Sequence, residues 1–143
     1  MRAVLLDTGT VVGLLHDGDV HQGATIAAIT ASVGHGRALA TTWEVVGEAY
    51  TLIRTRLSAH RPAAPALTVL KWARESGVLV IPADEEDQAR TAAILGIHGD
   101  LPLSYVDALV LALSERHRVE EVITVDGRLR AVRLMHNPLV TVV

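Results

Sequence analysis

The 143-residue sequence contains no cysteine, which excludes a disulfide framework and a zinc site built from thiolates. It has no phenylalanine, and aromatic residues make up only 3% of the chain, so the core must consist of aliphatic side chains. So few rings exclude a base-stacking surface of the RRM or single-strand-binding type. No run of about 18 uncharged apolar residues is present, which argues against a membrane-spanning helix. We therefore expect a cytoplasmic protein without membrane contact.

The composition is otherwise that of an ordinary folded domain. Half of the residues are hydrophobic and 20% are charged, which predicts a single domain covering residues 1–143. The net charge of −3 argues against a protein that coats nucleic acid without specificity. It is compatible with a nuclease whose acidic pocket is offset by nearby arginines.

Short apolar segments alternate with helical ones along the chain. The continuous apolar run at Ala3–Leu6 is typical of a parallel strand buried on both faces. Further strands are predicted at 38–40, 78–81, 122–125 and 139–143, and helices at 10–15, 21–33, 42–57, 67–75, 84–97 and 104–117. The segment 58–66 is predicted to be a connection. This order predicts an α/β protein, a three-layer α/β/α sandwich with a central parallel sheet of four or five strands.

Aspartates stand where two of these strands end. Asp7 follows the first strand and Asp126 follows the fourth, although each could simply cap the turn after it. Asp107 lies three residues after Ser104, the spacing of a capping box. Its neighbours on the helix face are mostly apolar, and a carboxylate in that position needs a partner such as a cation.

Two glutamates, Glu44 and Glu48, lie on one face of the helix at 42–57. Thr41 and Glu44 have the spacing of a capping box, which gives Glu44 a structural role at the start of the helix. Glu48 lies one turn later and has no capping role available. We therefore expect Glu48 to be the functional acid, with Glu44 held in reserve.

Four carboxylates in one pocket repel each other strongly unless they bind a cation. Oxygen ligands suit Mg²⁺ or Mn²⁺ better than zinc, and the seven histidines show no H-E-x-x-H spacing. The sequence thus predicts a metal site and catalytic centre made of one acid from each of four segments: Asp7, Glu48, Asp107 and Asp126.

These segments resemble the PIN-domain ribonucleases, most of all the VapC-type toxins of VapBC toxin–antitoxin systems. The resemblance covers essentially the whole chain and rests on LLDTG at 5–9, TT at 41–42 leading to EAYTL at 48–52, LSYVDA at 103–108 and ITVD at 123–126. It implies an endoribonuclease that uses Mg²⁺ or Mn²⁺ and cuts structured RNA such as tRNA or rRNA. It also implies a homodimer and a cognate VapB-type antitoxin whose tail enters the acidic groove.

Within this resemblance, Asp7, Glu48, Asp107 and Asp126 match the acidic positions of the family. Asp126 could hold a second metal or orient the attacking water as a base. Small hydroxyl residues that support the acids in the family correspond to Thr8, Ser104 and Thr124. The sequence departs from many relatives at Gly127-Arg128, where a basic residue and then an aromatic one are common.

Phosphate contacts must come from the rim of such a pocket, because the acids themselves repel RNA. Arginines follow both Glu48 and Asp126 in the sequence: Arg54, Arg56, Arg61, Arg128, Arg130 and Arg133. Arg54 and Arg128 are the preferred substrate contacts because they lie nearest the acids along the chain.

Three other functions share parts of the pattern. A Mg²⁺-dependent phosphatase of the haloacid dehalogenase type would need D-x-D after the first strand, but Asp7 is followed by Thr8-Gly9. A receiver domain would need a lysine late in the chain, and the only lysine is Lys71. A PIN-like RNA-binding or scaffold module without catalysis stays open, and metal-dependent RNA cleavage would distinguish it from a nuclease.

Overall fold

The structure, a computed structural model, describes residues 1–57 and 63–143, so Arg61 and part of the predicted connection lie outside the described residues. The strands are β1 (Ala3–Leu6), β2 (Ala38–Thr42), β3 (Leu79–Ile81), β4 (Glu121–Thr124) and β5 (Leu139–Val142). The α-helices are α1 (Thr8–Leu15), α2 (Gln22–Gly34), α3 (Trp43–Leu52), α4 (Ala64–Glu75), α5 (Glu85–Ile97) and α6 (Tyr105–Arg116). A π-helical turn covers Ile53–Leu57, and a 3₁₀ turn covers Gly127–Ala131.

The five strands form one parallel sheet in the order β3-β2-β1-β4-β5. All four residues of the central strand β1 are completely buried, as its continuous apolar run predicts. Helices α1 to α4 form one packed group, and α5 packs against α6. Because the chain reverses direction across the sheet, the right-handed rule for parallel crossovers assigns these two groups to opposite faces. The predicted α/β/α sandwich is confirmed, with five strands.

The reversal of strand order lies between β1 and β4. The chain moves outward from β1 to β2 and β3, then returns to build β4 on the other side of β1. In the register of these two strands, Leu6 pairs with Ile123, so β1 and β4 end side by side. Ligands of open α/β sheets bind at this kind of position, outside the carboxyl ends of the strands.

Aliphatic side chains fill the core on both faces of the sheet, as the lack of phenylalanine requires. The largest fully buried side chains are leucines, isoleucines and valines, among them Leu5, Leu109, Leu111 and Ile123. In the described part of the chain, no helix has the length and apolar character that crossing a membrane requires.

Three helix boundaries differ from the predicted ones by two residues or more. Helix α1 begins at Thr8 rather than at 10, directly after its cap Asp7. The helix predicted at 42–57 is α-helical only to Leu52 and continues as the π-helical turn Ile53–Leu57. Helix α4 begins at Ala64 rather than at 67, because Pro65 falls in its first turn, where proline has no intrahelical hydrogen bond to lose.

Candidate active site

An open cavity of about 630 Å³ lies where the strand order reverses; we call it the acidic cavity. Its lining residues are Asp7, Thr8, Gly9, Glu48, Leu52, Arg56, Pro102, Ser104, Asp107, Val125, Asp126 and Arg128. All four acids expected from the sequence therefore face one cavity. Arg54 is not among the lining residues, whereas Arg56, two positions further along the π-helical turn, is.

Asp7 is the buried acid of this cavity, with only 2% of its surface exposed. Its Oδ1 accepts hydrogen bonds from the backbone N–H of Thr10 at 3.0 Å and from the Thr10 hydroxyl at 2.9 Å. Its Oδ2 accepts a hydrogen bond from the hydroxyl of Thr124. Burial raises the pKa of Asp7 to about 6, although the Thr124 and Thr10 hydrogen bonds oppose this shift.

Asp7 also caps α1, so the capping role considered for it is real and coexists with its place in the cavity. The beginning of α1 lies tightly against the end of β4, since a Cβ atom on Gly9 would lie 2.4 Å from Cγ2 of Val125. A residue with a side chain at position 9 would force α1 away from β4. Gly9 therefore keeps Asp7 close to the residues that follow β4.

Asp107 takes part in the capping box that its spacing from Ser104 predicts. Its backbone N–H donates to the Ser104 hydroxyl at 3.0 Å, and its Oδ2 accepts from the Ser104 N–H at 3.4 Å. The half-buried carboxylate also lines the acidic cavity and adds to the rise in the pKa of Asp7 by charge repulsion. Asp107 is thus both a helix cap and a member of the cavity.

Asp126 forms an ion pair with Arg128. The guanidinium Nε donates to both carboxylate oxygens at 2.9 and 3.0 Å, and the terminal nitrogen donates to Oδ2 at 2.8 Å. These contacts hold the pKa of Asp126 below its usual range. The Asp126 backbone N–H donates at 2.9 Å to the hydroxyl of Thr124, which in turn donates to Asp7. Thr124 therefore connects the two aspartates across the ends of β1 and β4.

The two glutamates of α3, Glu44 and Glu48, have different surroundings. Glu48 is exposed and lines the acidic cavity, whereas Glu44 is half-buried and is not among the lining residues. The capping box predicted between Thr41 and Glu44 is wrong, because β2 extends through Thr42 and the helix begins one residue later. Glu44 instead accepts a hydrogen bond from the Thr42 hydroxyl at 2.5 Å, while the Thr41 hydroxyl donates to the carbonyl of Leu6.

The family model of the PIN domain matches residues 4–134 of the chain. The chain belongs to the PIN domain family. A comparison with curated proteins gives no match.

Solved structures with a similar fold come from toxin–antitoxin proteins. VapC20 from Mycobacterium tuberculosis, described as a sarcin–ricin loop cleaving toxin, superimposes with a TM-score of 0.77 at 18% identity, covering 94% of this chain and 98% of that one. VapBC2 from Rickettsia felis, bound to a promoter DNA fragment, gives a TM-score of 0.70 at 12% identity, covering 99% and 98%. DNA-bound VapBC from Salmonella typhimurium gives 0.65 at 17% identity, covering 98% and 97%. At these identities the likeness shows a shared fold.

The oxygen atoms of this PIN domain's cavity fit a hard divalent cation. The Thr8 hydroxyl is buried without a hydrogen-bond partner in the described part of the chain, and none of the ion pairs found there involves Asp7. A cation between these two residues would give the Thr8 hydroxyl oxygen a partner and would give the Asp7 carboxylate a neighbouring positive charge. As the side chains stand, residues 1–57 and 63–143 contain no group of three or more His, Asp or Glu side chains close enough to hold a metal ion.

Three contributors to the cavity were not selected from the sequence. Thr10 positions Asp7 through two hydrogen bonds, and its place three residues after a capping aspartate is a readable signal. Gly9 is needed for a close approach that only the fold reveals. Arg56 stood among the candidate arginines, but distance along the chain favoured Arg54.

Proposed function

We propose that this PIN domain is an endoribonuclease that requires Mg²⁺ or Mn²⁺ and serves as the toxin of a VapBC-type toxin–antitoxin pair. The observation that carries the proposal is the meeting of Asp7, Glu48, Asp107 and Asp126 in one open cavity at the reversal of strand order. The shared fold with VapC proteins supports it. A silent scaffold would have no use for a buried Asp7 and a half-buried Asp107 facing each other without a cation.

In this proposal Asp7, Glu48 and Asp107 hold the cation, and Asp126 either completes the site or binds a second ion. A bound divalent cation stabilises charge on the phosphoryl oxygens and lowers the pKa of a water molecule for attack. The hydroxyls of Thr10 and Thr124 orient Asp7, Ser104 orients Asp107, and Thr8 presents a free hydroxyl oxygen to the cavity.

The environment of Asp126 favours a role as ligand or charge over a role as general base. A carboxylate whose pKa is lowered by an arginine accepts a proton weakly at neutral pH. Arg128 is half-exposed at the rim of the cavity and can meet an incoming phosphate while it remains near Asp126. Arg54, the other arginine proposed from the sequence, lies outside the cavity lining and has no part in the proposed contact with the phosphate.

The substrate in this proposal is a structured RNA such as tRNA or rRNA, the class to which the sarcin–ricin loop in the description of VapC20 belongs. The cognate partner is a VapB-type antitoxin whose tail covers the acidic cavity, by analogy with the VapBC complexes of the same fold. The active toxin is a homodimer, and it acts in the cytoplasm, where its RNA substrate is found.

Cleavage by the purified protein tests the nuclease proposal. We expect tRNA or rRNA to be cut in millimolar Mg²⁺ or Mn²⁺ and left intact in EDTA. Replacing Asp7 by Asn should lower the rate by at least ~10²-fold, because it removes charge from the proposed metal site. Equal cleavage in EDTA would contradict the metal mechanism. No cleavage of any RNA would favour the silent module, and hydrolysis of a small phosphomonoester alone would favour a phosphatase.

A matched pair of glutamate variants tests the placement of the site on α3. Glu48→Gln should abolish cleavage with little change in the melting temperature, since Glu48 is exposed at the cavity. Glu44→Gln should stay near the wild-type rate, because Glu44 does not line the cavity and glutamine can still accept from the Thr42 hydroxyl. The reverse result would show that the functional acid lies one helical turn earlier.

A further inference from the structure

A second cavity of about 410 Å³ adjoins the acidic cavity along α3 and the π-helical turn; we call it the side cavity. It is lined by Glu48, Thr51, Leu52, Thr55 and Arg56. Glu48, Leu52 and Arg56 line both cavities, so the side cavity begins where the acidic cavity ends. Both volumes fall in the range of about 300–1,000 Å³ that is usual for ligand sites.

The π-helical turn brings Arg56 to this boundary. In an uninterrupted α-helix, eight residues at about 100° per residue would place Arg56 roughly 80° around the helix from Glu48. The turn Ile53–Leu57 is wider, so each residue advances by a smaller angle and Arg56 returns towards the line of Glu48 and Leu52. π-Helical turns inside α-helices are frequent at functional sites, and here the turn moves the positively charged Arg56 towards the acids.

The guanidinium of Arg56 is available for a ligand. Arg56 is exposed, and none of the ion pairs among residues 1–57 and 63–143 involves it, whereas Arg128 is held by Asp126. The remaining lining residues are Glu48, which the proposed function assigns to the metal ion, two threonines, and Leu52 with its half-buried apolar surface. The guanidinium of Arg56 can bind a phosphate, the threonine hydroxyls can bind a ribose, and the apolar surface of Leu52 can contact a base, so this part of the lining matches a ribonucleotide.

We propose that the side cavity is a subsite for the nucleotide next to the cleaved phosphodiester bond, with Arg56 as the residue that contacts its phosphate. The proposal rests on the proposed ribonuclease function and adds a specific path for the RNA, from the acidic cavity along α3. It assigns to Arg56 the role for which Arg54 was the nearer candidate in sequence.

RNA binding in EDTA measures the subsite separately from cleavage. The probe is a fluorescein-labelled single-stranded RNA of mixed sequence, about 12 nucleotides long, followed by anisotropy at several salt concentrations. Arg56→Ala should weaken binding by about 5-fold and reduce the slope of log K against log [salt] by about 0.7, the value for one phosphate contact with single-stranded RNA. Arg74→Ala, an exposed arginine on α4 that lines neither cavity, should bind as wild type does.

A second variant fills the side cavity without changing its charge. Thr51→Tyr, at an exposed position, should weaken binding of the same RNA while leaving the salt slope unchanged. Thermal melts followed by circular dichroism verify that each variant is folded.

Three results would overturn the subsite: wild-type binding by Arg56→Ala, wild-type binding by Thr51→Tyr, or an equal loss in Arg54→Ala, which would indicate a diffuse field of positive charge. The test separates this inference from the proposed function. RNA cleavage by a wild type whose Arg56→Ala variant binds normally would refute the subsite alone. Arg56-dependent binding without any cleavage would refute the nuclease and leave Arg56 as an RNA contact of a domain that does not cut.

Discussion

At the scale of single residues, Asp7 carries the largest electrostatic cost in the site. Burial raises its pKa from 3.8 to about 6, which corresponds to roughly 3 kcal/mol at about 1.36 kcal/mol per pKa unit. Three hydrogen bonds from Thr10 and Thr124 hold the carboxylate in place despite this cost. A strongly perturbed carboxyl group in an open cavity is characteristic of functional sites, where a cation or substrate relieves the perturbation.

The raised pKa of Asp7 predicts how stability depends on pH without metal. The folded state binds a proton at Asp7 more tightly than the unfolded state does, so Asp7 favours folding at low pH and this contribution is lost as the pH rises to about 6. Asp7→Asn does not titrate. Its free energy of unfolding relative to wild type should rise by about 1.5 kcal/mol between pH 5 and pH 7.5, measured by urea denaturation in EDTA. A difference independent of pH would show that the Asp7 pKa is not raised.

At the scale of helices, the same capping motif has different consequences in α5 and α6. In α5, Asp84 and Asp87 form a capping box, and the buried Asp87 is paired with Arg116, whose Nε lies 2.7 Å from Oδ1. In α6, Ser104 and Asp107 form the same box, but Asp107 faces the acidic cavity. The box in α5 thus joins two helices, whereas the box in α6 presents a carboxylate to the site.

Removing the two N-caps separates stability from function. Ser104→Ala should cost about 1 kcal/mol of stability and lower RNA cleavage, because Asp107 loses the hydroxyl that positions its turn. Asp84→Ala removes the equivalent cap of α5 and should lower the melting temperature while leaving cleavage unchanged. Melting curves and cleavage rates of both variants check this. Equal losses of cleavage would mean that general destabilisation, not the position of Asp107, explains the effect.

The end of α3 shows where reasoning from sequence stops. A continuous helical pattern at 42–57 contains nothing that distinguishes an α-helical turn from a π-helical one, since both use the same residue types. Arg54 lies on the opposite side of the helix from Glu48 in either geometry, so choosing it by distance along the chain ignored helical periodicity. The π-helical turn brings Arg56 still closer to the line of Glu48. Arg54 is closer to Glu48 along the chain, but Arg56 lines the cavity. The Asp126–Arg128 ion pair was likewise not predicted, because both residues were assigned to ligands.

At the scale of the whole molecule, the strand–helix alternation was enough to predict the parallel sheet and its two helical layers. The order of the strands was not readable from that alternation, since it depends on which strands pair in space. The meeting of Asp7 and Asp126 requires β4 to lie beside β1, and a β4 at the far edge would separate them by several strand spacings. The family resemblance supplied this information by relating all four acids to one known site.

Mn²⁺ binding, followed by electron paramagnetic resonance, tests most directly whether the acidic cavity is a metal site. Wild type should bind Mn²⁺, and Asp107→Asn should bind at least about 10-fold more weakly, because it removes a charged ligand while its amide oxygen can still accept the Ser104 capping hydrogen bond. Arg74→Ala, remote from both cavities, should bind as wild type does. Equal Mn²⁺ affinity in wild type and Asp107→Asn, or no binding by wild type, would contradict a metal site in this cavity.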